Sequence, residues 1–325
     1  MKKLYFIFLL TLFFSNLQAQ TRKQAAHFSL LKSYYNPALT GFEGSVVKGL
    51  YRSQWSSYEG APSTVYLSAE LNMHELKQWQ QAEEQQKRIY KTQNAQYARH
   101  AFGLSFLKDT FGPYYEHQLH LSYSSNLRIT RNLNLRAGAA LTYNMEGMDA
   151  AQVNLEQSND PFVMQYMQNT KSGRVDVNLG MMLSSKNFFL GYALQDATKG
   201  QASFNRENTA IAYAYKHIIQ SAYRTQFSEQ FALIVNGIYQ YDEERGGVLE
   251  GQMKALFYQK FWATAGYRKQ LAYTFGFGVQ LHKLNIGYAM EVPTGEAQLQ
   301  AQTNELSLSY RLGQSRHVAG KINMW

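Results

Sequence analysis

The sequence predicts an all-β protein, a transmembrane antiparallel β-barrel of about fourteen strands. Three observations carry that expectation. Short segments with one apolar and one polar face recur along most of the chain, and the chain opens on an export leader. After that leader no run of about twenty apolar residues follows, so no helix of this sequence is expected to cross a bilayer. Composition agrees. Of 325 residues, aromatics make up 14% and charged residues only 17%, against about 25% in ordinary soluble domains.

The leader comes first. Lys2-Lys3, the apolar run Leu4–Phe14 and then Ser15–Ala19 have the three parts of a secretory signal peptide. Residues 1–19 therefore read as a signal peptide and residues 20–325 as the barrel. The apolar run is too short to span a membrane. The chain has no Cys, so disulfides, thiolate metal sites and lipidation at a cysteine are not open to it.

Alternation assigns the strands. In Asn132–Asn144, Leu133, Leu135, Ala137, Ala139, Leu141 and Tyr143 share one face, against Asn134, Arg136, Gly138, Thr142 and Asn144. In Arg174–Ser184, Val175, Val177, Leu179, Met181 and Leu183 oppose Arg174, Asp176, Asn178, Gly180 and Ser184. Period two of this kind means half-apolar strands. The predicted strands are Val46–Trp55, Ser63–Asn72, His100–Lys108, Glu116–Ile129, Asn132–Met145, Arg174–Ser184, Asn187–Leu194, His217–Phe227, Gln230–Tyr241, Gly247–Tyr258, Lys260–Arg268, Ala272–Leu281, Lys283–Glu291 and Asn304–Leu312. A soluble sandwich would alternate too. Two details favour the barrel: Tyr and Phe end many apolar faces, as interfacial girdles do, and the polar faces carry Gly, Ser, Thr, Asn and Gln, which suit a crowded lumen.

Connections alternate in length. Thr130-Arg131, Ser185-Lys186, Ser228-Glu229, Gln259 and His282 are short, as periplasmic turns are; Glu146–Gly173, Gln195–Lys216, Asp242–Gly246 and Val292–Thr303 are mostly longer, as external loops are. The exception is Met73–Arg99, a long connection on the short side, rich in Gln, Glu, Lys and Ala. It reads plainly as a helical or flexible insertion. More sharply, it reads as a docking element for periplasmic machinery, with Leu76, Trp79, Ile89 and Tyr90 as its apolar contacts. Residues 313–325 form a tail beyond the last strand.

One stretch organises the rest. Tyr34–Ala69 contains Asn36-Pro37-Ala38 and Gly41, then Tyr51-Arg52-Ser53-Gln54-Trp55, then Gly60-Ala61-Pro62 with Thr64 and Leu67-Ser68. From the residues alone it is a first hairpin. As an ordered set of motifs it resembles the opening of the PorP/SprF family, outer-membrane proteins of type IX secretion and gliding. Phe102-Gly103-Leu104, Phe189-Leu190-Gly191-Tyr192, Gly266-Tyr267-Arg268, Ile286-Gly287-Tyr288 and Asn304–Tyr310 extend the likeness over nearly all of residues 20–325. Asn304 stands where the family commonly has His, and Met73–Arg99 matches no family pattern. The resemblance implies an outer-membrane location and a non-enzymatic role in export or retention of large surface adhesins or gliding proteins. It also marks Asn36, Pro37, Ala38, Gly41, Arg52, Gln54, Trp55, Gly60, Ala61 and Pro62 as structural or partner-contact residues. The implied partners are secretion or gliding machinery and a large secreted surface protein; lipid and lipopolysaccharide are expected from the barrel wall and its spread-out cations.

The residues leave other functions open. A porin-like channel for small solutes is the alternative, and an outer-membrane hydrolase with a Ser–His pair at the rim is a third class. No phosphate-binding loop, dinucleotide fingerprint or metalloprotease motif is present, so no cofactor is expected. His117 and His120 have odd spacing, which puts them on opposite strand faces and prevents a shared metal. The formal charge is +9, but Lys and Arg form no stripe, so nucleic acid is not an expected partner. On the lumen faces Arg136, Arg174, Asp176, Arg268 and Arg311 stand with Glu250, Lys254, Glu291 and Glu305. Either they make an ion-selective pore or they pair across a packed lumen; unpaired interior charge is costly, which favours pairing. Loops such as Glu146–Gly173 are expected to fold inward and obstruct the lumen.

Overall fold

The computed structural model describes residues 25–56, 58, 60–76, 99–149, 171–204, 214–244, 246–295 and 301–313. Its strands are β1 (Val46–Ser53), β2 (Ser63–Asn72), β3 (Arg99–Phe111), β4 (Tyr114–Arg128), β5 (Asn134–Met148), β6 (Lys171–Ser184), β7 (Phe188–Gln195), β8 (Ala202–Phe204), β9 (Lys216–Gln226), β10 (Phe231–Asp242), β11 (Gly246–Phe257), β12 (Phe261–Arg268), β13 (Ala272–Leu281), β14 (Leu284–Pro293) and β15 (Thr303–Arg311). Fourteen of them close an antiparallel barrel, in which β1 pairs with β15 from Val46↔Arg311 to Ser53↔Asn304. The remaining strand, β8, lies against the end of β6 not covered by β7, at Gly173–Val175. A closed barrel satisfies every strand edge, which is what a hydrocarbon surround requires. No helix among the described residues is long and apolar enough to cross a membrane.

All fourteen predicted strands are present, with shifted ends. β3 to β6 run longer than their alternation suggested, because ladder hydrogen bonds continue past the band where outward residues must be apolar. Trp55 is not part of β1: its φ of 47° takes the chain out of the strand and into the rim hairpin. Of the loop expected at 146–173, residues 146–148 and 171–173 are strand, and 150–170 lie outside the described residues. So do the leader at 1–19 and, in the insertion, residues 77–98, with Trp79, Ile89 and Tyr90. Only a helical turn at residues 73–76 is described there.

The faces sort as alternation requires. Leu179 and Met181 are exposed on the outer wall, while Asn178 and Met182 are buried inside. Tyr241, Phe261, Tyr267, Tyr273 and Tyr310 are exposed near strand ends on the outside, the position of an interfacial girdle.

The core lies inside the barrel, not between layers. Before β1 the chain makes a 3-10 turn at Phe28–Leu30, a single α-turn at Lys32–Tyr35 and a second 3-10 turn at Pro37–Leu39. These turns are too short to be stable alone. They persist because the lumen buries them. Phe28, Leu30, Leu31 and Tyr35 pack on Leu50, Tyr66, Leu107, Ile218 and Ile238 of the inner wall. Ala38 and Leu39, with Phe42, pack on Met182, Phe189 and Ala222. Full burial of each large side chain stabilises the arrangement by about 1.5–3 kcal/mol. Residues 25–42 are therefore a plug, and they fill the lumen that inward loops were expected to obstruct.

Candidate functional site: a plugged, charge-bridged lumen

The plug is held by two kinds of contact. At its C-terminal end, Asn36 caps the turn by accepting from Ala38 N at 2.9 Å, and Pro37 follows at the first helical position. The Asn36 amide reaches Met181 O at 3.3 Å and Tyr192 O at 3.4 Å. The wall opens for this turn through a cross-strand pair of glycines, Gly138 opposite Gly180. A Cβ at Gly138 would collide with the Pro37–Ala38 backbone, and one at Gly180 with the Asn36 side chain. Arg136, buried on β5, donates to Ala38 O at 2.8 Å, to Thr40 O at 2.5 Å and to Ser124 Oγ at 2.8 Å. It is a guanidinium used to satisfy a chain reversal.

At the N-terminal end the contacts are ionic. Glu305 on β15 accepts from Ala26 N at 2.6 Å and His27 N at 3.0 Å, and it pairs with Arg52 of β1. Arg52 also reaches Glu291 at 2.7 Å. Arg268 binds Glu291 and Glu250, each at 2.9 Å, and donates to Ala25 O at 3.2 Å. Two guanidiniums thus face three carboxylates, and the plug N–H groups of Ala26 and His27 add donors to Glu305. Between the two ends, Lys48 meets Glu43 at 2.7 Å and Glu70 at 3.3 Å, while Lys32 meets Glu43 at 2.8 Å. Burial opposes charge on Glu43, but the ammonium groups of Lys32 and Lys48 outweigh it and hold its pKa well below the carboxylate range.

The residues marked by sequence thus separate. Asn36, Pro37, Ala38 and Gly41 belong to the plug, where Gly41 N donates to Glu70 at 2.6 Å and its φ of +65° suits glycine. Arg52 joins the ionic network. Gln54, Trp55, Gly60, Ala61 and Pro62 form the β1–β2 hairpin at the rim opposite Val46 and Arg311, where Gln54 N bonds Pro62 O and Gly112 N bonds Gly60 O, each at 2.9 Å. Arg174 lies 3.5 Å from Asp176, which also accepts from Thr198 at 2.6 Å and Gly200 N at 3.0 Å. Arg311 is half-buried at the end of β15. Leu76 lies just past Glu75, whose carboxylate accepts from Ser45 N at 2.7 Å and ties the start of the insertion to the base of β1. Sequence reasoning missed Lys32, Glu43, Lys48 and Glu70. Lys48 and Glu70 could have been found, since each alternates onto the inward face of its strand.

A Ser–His pair does exist. Ser105 Oγ lies 3.5 Å from His120 Nδ1, but both are buried in the lumen and not at a rim. His120 Nε2 has no hydrogen-bond partner, so no carboxylate orients the ring as a nucleophile's base requires. Among the described residues no group of acidic, His or Cys side chains could hold a metal.

A closed outer-membrane-type barrel with a filled lumen is the class these features define. The model of the type IX secretion system membrane protein family PorP/SprF matches residues 17–310. The chain belongs to that family, and its place is the outer membrane. No curated protein matches it in sequence. Among solved structures it is similar in fold to the outer membrane protein Omp33 of Acinetobacter baumannii, at 9% identity and TM-score 0.45, covering 82% of this chain and 98% of that one. It is likewise similar to the monoaromatic hydrocarbon channel CymD, at 11% identity and TM-score 0.45, covering 84% and 89%.

Proposed function

We propose that this barrel serves type IX secretion by holding partners, not by conducting solutes, and that it has no catalytic role. The observation that carries this reading is the plug: residues 25–42 occupy the lumen and bond to wall strands on opposite sides of the barrel. A solute channel needs a continuous water path, and this lumen is spent on side-chain packing and ion pairs. The client is then a large secreted surface adhesin or gliding protein, retained or passed on through contacts at the rims, with lipopolysaccharide around the outer wall. The 73–99 insertion is the docking element for periplasmic machinery, with Leu76, Trp79, Ile89 and Tyr90 as its apolar contacts; burying them would contribute about 25 cal/mol per Å².

Planar-bilayer recording of the purified protein tests the first half. No large, steady, ohmic steps are expected, and finding them would return the porin reading. Deleting residues 77–98, which spares Glu75, tests the second. The variant should insert as a barrel yet lose co-purifying machinery and export of the surface protein. Because the chain has no Cys, single cysteines at Gln86 and Phe111 give the sidedness. An impermeant thiol reagent on intact cells should label Phe111→Cys and spare Gln86→Cys; the reverse pattern would remove the docking reading.

A further inference from the structure

At the rim where β1 begins and β15 ends, a cavity of about 80 Å³ lies between plug and wall. His27 and Lys32 line it from the plug, and Lys254, Lys283 and Arg311 from the wall. Among the described residues, the one carboxylate in its lining, Glu43, is already bridged by Lys32 and Lys48. Lys254 sits over the Trp262 ring, 4.4 Å from its centre, and Lys283 reaches Leu312 O at 3.5 Å. Among the described residues, neither ammonium has a carboxylate within ion-pair distance. Two ammonium groups without a carboxylate partner, gathered in one confined space, repel each other. A second feature points the same way. His27 is buried with its Nδ1 unpartnered, an orphan that native interiors rarely keep.

We propose that this cavity binds a phosphate-class oxyanion, clamped between His27 and Lys32 of the plug and Lys254, Lys283 and Arg311 of the wall. A dianion matches the cationic surplus better than a single carboxylate, and guanidinium and ammonium donors give it short, charge-assisted bonds. The volume admits a phosphate with a few waters but no acyl chain. Lys283 and Arg311 are partly exposed at the mouth, so the group enters from the rim, either as free phosphate or as the headgroup of a lipid whose chains stay outside. Because the ligand touches both plug and wall, binding it fastens the plug.

The test uses the full chain in neutral, phosphate-free detergent. Calorimetric titration with inorganic phosphate, against chloride at matched ionic strength, should show saturable one-site binding and a raised Tm. Lys254→Gln and Lys283→Gln should each weaken binding by about tenfold, the scale of one charge-assisted contact. Lys186→Gln, in an exposed turn outside the cavity, should bind unchanged. A parallel titration with short-chain phosphatidic acid separates the sources: tighter binding than inorganic phosphate identifies a lipid headgroup, and equal or weaker binding identifies the free ion. Saturable binding of neither probe overturns the proposal. So does binding by Lys283→Gln, a turn variant that leaves the barrel wall intact, at the affinity of the unchanged protein.

Discussion

The two ends of the plug are held by opposite means. Around Asn36-Pro37-Ala38 the wall of β5, β6 and β7 offers a glycine recess and backbone carbonyls, and the Arg136 guanidinium is spent on backbone oxygens and the Ser124 hydroxyl. Around Ala25–His27 the wall of β1, β12, β14 and β15 offers guanidiniums and carboxylates. The first end is specified by shape, so it tolerates no added volume. The second is specified by charge, so it tolerates no lost partner. A plug fastened both ways has two independent routes to release.

Arg268→Met should have the largest effect, because it strands Glu250 in the lumen and leaves Glu291 with Arg52 alone. Breaking a buried pair by removing one partner costs about 3–5 kcal/mol. The melting point in detergent should fall accordingly, and Arg268→Lys should not rescue it, since one ammonium cannot span both carboxylates. An unchanged melting point would show that the network carries no stability. Gly138→Val comes next, at about 1–3 kcal/mol from forced overlap with Pro37–Ala38. Hydrogen exchange should rise across residues 36–41 and stay unchanged at residues 25–27. Equal loosening of both ends by either variant would mean that the plug undocks as one unit, and the comparison would fail.

Asn36→Ala should cost about 1 kcal/mol, the value of a lost cap, because its two wall bonds are long. The smallest effect is a pH dependence carried by His27 and Glu43. Burial, with Lys254 and Lys32 nearby, holds the His27 pKa well below its ordinary 6.5. In the window below 6.5 the undocked plug binds a proton that the docked plug refuses. Docking is therefore at full strength above that value and weakens as pH falls. Glu43 adds a second loss below its ordinary 4.5, as pH approaches its lowered value in the docked state. Melting points at pH 7.5, 5.5 and 4 should step down in that order; a His27→Gln variant should lose the first step and keep the second.

How much of this was legible in the sequence divides along the same line. The wall was legible because a strand in a bilayer must alternate, so Leu179 and Asn178 declare their faces from their types alone. The plug was not. Phe28, Leu30, Leu31, Tyr35 and Leu39 follow neither period two nor a sustained helical period, since turns of three or four residues leave no stripe. Two signals were nevertheless present. Leu50, Ile218, Ile238 and Met182 are apolar residues on faces that alternation makes inward, and they need something to cover. Gly138, Gly180 and Gly191 are small residues on the same faces, and they need something to approach them. Each is ordinary alone. Only their convergence on residues 28–39 gives them meaning, and that depends on barrel closure, which period two does not encode. The Asn36-Pro37-Ala38 motif was legible as a resemblance, but its role as the foot of a plug was not.

The Glu305 contacts have a consequence for assembly. β1 and β15 are the first and last strands of the wall, and their pairing closes the cylinder. The carboxylate on β15 takes its donors from Ala26, His27 and the β1 residue Arg52, so the plug bridges the seam from within. Bringing those strands together joins sites more than 250 residues apart in sequence, Arg52 and Glu305 being separated by 253, and such closure is entropically slow. A segment bonded to both sides of that seam offers the two strands a common surface to meet, as a mandrel does for the final turn of a winding. The contacts that fill the lumen thus also lie where the wall is joined.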